Sequence, residues 1–213
     1  MTLLELAPSL EFALFRAAAT RADLEKHCAT ARELRLHGVC VSSSRVALAR
    51  HFLDDTDAKV CCTVDFPLGG ADADVKRYET EVALDHGAHE IEFVANHGWL
   101  REGNTEALRR ELRDIIAAAD GLPVKLLVEA TLTQTEALVT AARLAVEAEA
   151  KFLTLSYLFG TRTASPEVIA TLRQATGPEF GIKVSAAAPT VAAAARLLAA
   201  GANRLGLAAI PRE

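Results

Sequence analysis

Lys183 stands in the short run GIKVSA (181–186), whose isoleucine and valine mark the interior of a β-strand. An ammonium held among strand neighbours loses its water, and burial lowers its pKa toward the range where an amine is a nucleophile or a base. Other strand-like runs carry Glu11, Glu92, Lys125, Glu129 and Thr154, with Tyr157 at the end of the run FLTLSYL (152–158). A buried lysine beside a carboxylate can form an imine with a carbonyl, move a proton, or simply pair with the acid. Lys183 therefore reads either as a reactive amine or as the ion-pair partner of Glu92 or Glu129, and its pKa is expected to be strongly depressed. Glu92 is a proton relay on the first reading and a neutralising carboxylate on the second. Lys125 reads as a structural charge partner.

The remaining polar groups have weaker patterns. Asp65, just before FPLG, is a carboxylate near a strand end that could meet a substrate or be a solvated loop acid. Tyr157 could donate a proton to a carbonyl or pack. His97 reads as a solvated loop histidine. Cys40, Cys28, Cys61 and Cys62 have no C-x-x-C or Cys/His metal spacing, so the expectation is reduced thiols, a cytoplasmic setting and no metal; Cys40 reads as a small core residue. No GxGxxG or Walker loop appears, and no cofactor is expected.

The elements that must position these groups repeat as strand then helix. Apolar strand-like runs fall at 10–15, 38–42, 59–65, 90–95, 124–130, 152–158, 181–186 and 204–209. Between them lie helical stretches with start and stop signals. Thr20 with Asp23 and Thr133 with Glu136 have capping-box spacing, Ser165-Pro166-Glu167 reads as a helix start, and Gly38, Gly87, Gly121, Gly177 and Gly201 sit where helices should stop. The count and even spacing favour a closed (β/α)₈ TIM barrel, α/β in class, as a single domain over residues 1–213; acids and lysines inside strands can then gather in the lumen. The chain has 213 residues, 51% of them hydrophobic, enough for one large core. Its net charge of −5, with both signs interspersed, gives no basic stripe, so neither nucleic acid nor membrane is an expected partner. Glu213 follows the eighth strand closely, which predicts a truncated final helix. The apolar surface left beside strands one and eight is expected to be covered by a second copy, as a homodimer, unless residues 1–9 seal it.

The order and wording of these strands resemble the 2-deoxyribose-5-phosphate aldolase family, Schiff-base aldolases on a (β/α)₈ barrel. The resemblance runs from about residue 10 to 209 and is carried by GVCV (38–41), KVCCTVDFPLGG (59–70), HGAHEIEFVANHGWLREG (86–103), VKLLVEATL (124–132), GIK (181–183) and AGANRLG (200–206). It implies that Lys183 matches the strand-seven lysine that tunes the imine-forming one, and that Glu92 matches the strand-four acid that relays protons, one methylene longer than the usual aspartate. It also implies that Cys40, Asn96, Lys125, Glu129 and Glu11 fall on positions the family fills with the same residue types.

The departures are chemical. The imine-forming lysine falls at Thr154, which cannot form an imine, and the Gly/Ser phosphate loops become Ala187-Ala188-Pro189 and AAIP (208–211). The expected function is that of an aldolase-like lyase or isomerase acting on an unphosphorylated small-molecule carbonyl, in specialised metabolism, with Lys183 as amine or base and Glu92 as relay. The alternative is a non-catalytic relative serving as a binding or scaffold subunit. An ordinary aldolase ranks last.

Overall fold

In a computed structural model, residues 1–159, 164–188 and 190–212 are described. Gly160, Pro189 and Glu213 lie outside them, so the loop reading of Pro189 has no structural counterpart here. Eight parallel strands close into a barrel in sequence order, the (β/α)₈ TIM fold: β1 (Leu10–Leu14), β2 (Gly38–Ser42), β3 (Lys59–Val64), β4 (Glu90–Val94), β5 (Val124–Glu129), β6 (Phe152–Ser156), β7 (Gly181–Ser185) and β8 (Arg204–Leu207). All eight expected runs form strands; β2 matches its run, and the other seven are shorter at the end by one or two residues where the chain turns into a loop.

The helices α1 (Leu3–Leu6), α2 (Arg21–Glu33), α3 (Val46–Phe52), α4 (Ala73–Asp85), α5 (His97–Glu102), α6 (Thr105–Ala118), α7 (Thr135–Glu147), α8 (Pro166–Thr176) and α9 (Val191–Ala199) surround the strands. The core between the two layers is aliphatic: Val39, Val60, Ile91, Leu126, Leu153, Ile182 and Leu205 leave the strands outward and are fully or almost fully buried against helix faces. Strand residues of the opposite parity point into the lumen, where the acids and lysines collect. Among the described residues no helix is long and apolar enough to cross a membrane.

Local signals hold in part. Thr20 and Asp23 form the expected reciprocal capping box. Thr133 does not cap α7, because its hydroxyl donates to the Glu129 carbonyl at 2.9 Å and Gln134 takes the cap position. Ser165 precedes Pro166 as expected, but its hydroxyl bonds the Glu167 carboxylate. Gly38 opens β2 and does not end a helix; a Cβ there would lie 2.0 Å from the Lys59 carbonyl oxygen.

The uncovered groove expected beside strands one and eight is not found. Leu6 and Ala7 are buried in the core, and α1 packs against α9. After β8 the backbone returns, and Arg212 bridges Thr190 in parallel, its carbonyl accepting from Val191 N at 2.8 Å. No helix follows β8 among the described residues.

Candidate functional site

Strand register brings the charged residues of the lumen to one level. Glu92 is level with Lys125, Thr154 with Lys183, and Lys183 with Arg204. The Lys183 ammonium donates to Glu11 Oε2 at 2.5 Å and to Glu92 Oε2 at 2.7 Å. The Thr154 hydroxyl donates to the other oxygen of Glu92, and the Cys40 thiol donates to Glu92 Oε2 at 3.4 Å. The extra methylene of Glu92 lets one carboxylate meet all three partners. Lys125 pairs with Glu11 and, at 2.6 Å, with Glu90. Arg204 donates to Glu11 Oε1 at 2.9 Å and Glu90 Oε2 at 2.8 Å, with its guanidinium 4.6 Å from the Phe152 ring centroid. His37 adds a 3.2 Å contact to Glu90.

Three carboxylates (Glu11, Glu90, Glu92) thus face three cations (Lys125, Lys183, Arg204), a charge-balanced set in which Glu11, Glu92, Lys125 and Lys183 are almost wholly buried while Glu90 and Arg204 keep an exposed edge. Burial pulls the Lys183 pKa down, but Glu11 and Glu92 more than reverse this and hold it well above the ordinary lysine value. The expected depressed pKa is therefore corrected: in the contest between desolvation and ion pairing, two carboxylates at hydrogen-bond distance win. Glu11 shows the converse, with burial raising it and Lys125, Lys183 and Arg204 together holding it well below the usual carboxylate range. Hydrogen bonding to Cys61 and burial push the Cys40 thiol up, so it stays protonated. Glu11, Cys40, Cys61 and Glu92 have donor atoms close enough for a metal ion, yet the ammoniums of Lys183 and Lys125 already lie against these donors and match their charge.

One layer above lies a cavity of 540 Å³ at the C-terminal mouth of the barrel. Its floor is Ala13, Leu127, Ser156, Ser185 and Gly206, and its walls include Phe15, Phe66, Leu158, Leu207 and Ile210. Lys183, Glu92 and Thr154 do not line it, and Lys183 is 1% exposed. Gly206 is required here: a Cβ would lie 2.3 Å from Ser185 Oγ and 2.9 Å from Lys183 Cε.

The other expected site residues divide. Tyr157, read as a proton donor or a packing residue, lines the cavity and packs against the core. Glu129 is buried at the end of β5 with no cation paired to it among the described residues; it accepts from Ser156 Oγ at 2.7 Å, Leu158 N at 3.0 Å and Thr131 N at 3.3 Å, and so fixes the cavity edge. It is not a partner of Lys183. Asp65 is corrected to a loop-holding role: at φ 52° its amide donates to Glu79 Oε2 at 2.8 Å, and its carboxylate accepts from Ala71 N at 2.8 Å and faces Lys76 at 3.5 Å. Asn96 caps α5, accepting from Trp99 N at 3.2 Å. His97 is not solvated; its Nε2 accepts from Glu129 N at 2.8 Å, and burial lowers its pKa. Sequence reasoning missed Glu90, Arg204, Ser156 and Ser185. Strand alternation held the signal, since each stands two residues from a lumen position already identified or expected: Glu90 from Glu92, Ser156 from Thr154, Ser185 from Lys183, and Arg204 from the glycine of RLGL.

A closed parallel barrel with a lysine–carboxylate cluster inside its lumen and a cavity at its strand C-termini defines an aldolase-type (β/α)₈ protein. No protein-family model matches the chain. Comparison with curated proteins places it closer: it is 37% identical over 202 residues to deoxyribose-phosphate aldolase of Geobacillus sp. (strain WCH70), covering 94% of this chain and 91% of the relative. It is 35% identical over 206 residues to that of Carboxydothermus hydrogenoformans, covering 95% and 90%. Among solved structures, the aldolase QR15 superposes with TM-score 0.91 at 25% identity over 96% of this chain and 91% of its own. The tetrameric deoxyribose phosphate aldolase of Aeropyrum pernix shares the fold, with TM-score 0.88 at 24% identity over 97% and 88%. The chain belongs to the deoxyribose-phosphate aldolase family.

Proposed function

We propose that this member of a lyase family holds an unphosphorylated, largely apolar carbonyl compound non-covalently in the mouth cavity, and that Lys183 serves it as a fixed internal ammonium. The carrying observation is that Lys183 is paired to both Glu11 and Glu92 beneath a cavity it does not line. An imine needs a neutral, reachable amine, and Thr154 supplies none. A cavity walled by alanine, leucine and phenylalanine suits a ligand with little charge. Calorimetric titration with medium-chain aldehydes and ketones against deoxyribose 5-phosphate tests this. Saturable binding of the apolar carbonyls and none of the sugar phosphate is expected; preference for the phosphate would overturn it.

A second reading, turnover as an aldolase-like lyase or isomerase with Lys183 as amine or base and Glu92 as relay, draws on the convergence of Lys183, Glu92 and Thr154 at one point. It requires Lys183 to leave both carboxylates and lose a proton during the cycle. Retro-aldol cleavage of β-hydroxycarbonyl compounds that Lys183→Met abolishes would favour it. The proposal extends to the protein's setting and assembly. The cysteines are all free and buried, which suits a reducing cytoplasm. Leu68, Val75 and Tyr78, 71%, 57% and 65% exposed, offer apolar surface for homodimer formation, which light scattering tests.

A further inference from the structure

The cavity's charge is placed unusually. Its floor and walls are apolar apart from Ser156, Tyr157 and Ser185, and the cations beneath the floor are cancelled one for one by Glu11, Glu90 and Glu92. They present no net charge upward, while the Glu129 carboxylate behind Ser156 and the Leu158 amide makes the inner end unfavourable for a ligand's own carboxylate. Among the described residues lining the cavity, Arg212 is the only charged one. Its backbone is pinned by the bridge to Thr190 and the bond from Val191 N, so the guanidinium starts from a fixed point, and it is exposed to solvent. A guanidinium offers a planar fork of donors that matches a carboxylate in two parallel hydrogen bonds. At the inner end, Ser156 donates its proton to Glu129, which leaves its oxygen lone pairs for a ligand hydroxyl, while Ser185 offers a hydroxyl that can donate to a carbonyl.

We propose that the cavity is a site for apolar monocarboxylates carrying a carbonyl or hydroxyl at the far end, with Arg212 as the residue that binds the carboxylate at the rim. This rests on the non-covalent binding reading above and adds the ligand's charge and direction. A single exposed guanidinium suits a monoanion; a phosphate dianion would call for more donors than the described residues of this rim present.

The test compares 8-oxononanoate, its neutral alcohol counterpart 9-hydroxynonan-2-one and phenyl phosphate by calorimetry on the intact protein and on Arg212→Gln, a change at an exposed position. The acid should bind about tenfold more tightly than the alcohol at low salt, an advantage that shrinks as ionic strength rises. Arg212→Gln should erase the difference and leave alcohol binding unchanged. Equal affinity for acid and alcohol, an advantage that survives Arg212→Gln, or tighter binding of phenyl phosphate would each overturn the role of Arg212 while leaving an apolar cavity in place. Failure of both acid and alcohol to bind would overturn the cavity reading itself, and this inference with it.

Discussion

On β7, Lys183 and Ser185 are two residues apart and point the same way, yet they belong to different worlds. Lys183 lies in a layer where every carboxylate has a cation and is itself only 1% exposed. Ser185 lies on the floor of a cavity whose walls are mostly hydrocarbon. The same step is repeated on β6 between Thr154 and Ser156, and on β8 between Arg204 and Gly206. The difference teaches what separates a lysine–carboxylate cluster from an active site: a reactive lysine must be reachable and at least transiently neutral. On the reading proposed above, the mouth receives the ligand and the charged layer beneath it ties the strands together.

The comparison can be broken most forcefully from below. Lys183→Met leaves Glu11 and Glu92 short of a cation in a sealed lumen, and loss of one partner of a buried pair costs roughly 3–5 kcal/mol. Urea unfolding should show this, and a Lys183→Met/Glu92→Leu double variant should recover much of it. Recovery is expected because replacing both charges by hydrocarbon removes the unpaired group.

Acid should loosen the lower layer before the mouth. Glu90 is held at about 2: burial raises it, while His37, Lys125 and Arg204 bring it down, and Glu11 also lies well below its usual range. A lowered folded-state pKa contributes stability that is fully present above the unfolded value and is lost as pH falls through the folded one. Thermal unfolding followed from pH 6 to pH 2 should therefore drop below about pH 4.5, with Glu90 alone contributing on the order of 2–3 kcal/mol. For Lys183 the sign reverses: its raised pKa keeps its contribution intact below the ordinary lysine value and loses it only in stronger alkali.

Gly206→Ala joins the two layers, since its Cβ would press on both Ser185 Oγ and Lys183 Cε. Overpacking of this kind costs about 1–3 kcal/mol, and ligand affinity at the mouth should fall with stability. The smallest effect belongs to the mouth alone. Leu158→Ser, at a cavity-lining position 51% exposed, should leave the acid sensitivity unchanged and weaken apolar ligands by roughly fivefold, the scale of one lost apolar contact. Calorimetry and the pH series together separate these outcomes.

Much of this was legible in the residues. The eight strands follow from short apolar runs punctuated by turn residues, and Thr154 does stand beside Lys183. The pairing of Lys183 with Glu92 was one of two readings open from sequence, and its strength was not, because pKa depends on how many carboxylates converge. Glu11 closing the circuit from β1 is a long-range event of barrel closure, invisible to local pattern. Asp65 looked like a mouth residue because its left-handed backbone, which turns its amide and carboxylate into the loop, leaves no mark in composition. The apolar mouth was half visible: the family resemblance reads Ala187, Ala188 and AAIP as departures from a phosphate loop, but only the fold shows Phe15 and Phe66 joining them across the cavity.

The most direct measurement is borohydride trapping of the unmodified protein with small aldehydes, read by peptide mass spectrometry, beside Thr154→Lys. The unmodified protein should carry no reduced adduct at Lys183 across neutral pH. Thr154→Lys should gain one, because two adjacent lysines competing for Glu92 push one toward the neutral amine. A stoichiometric adduct on Lys183 of the unmodified protein would contradict the locked-ammonium account.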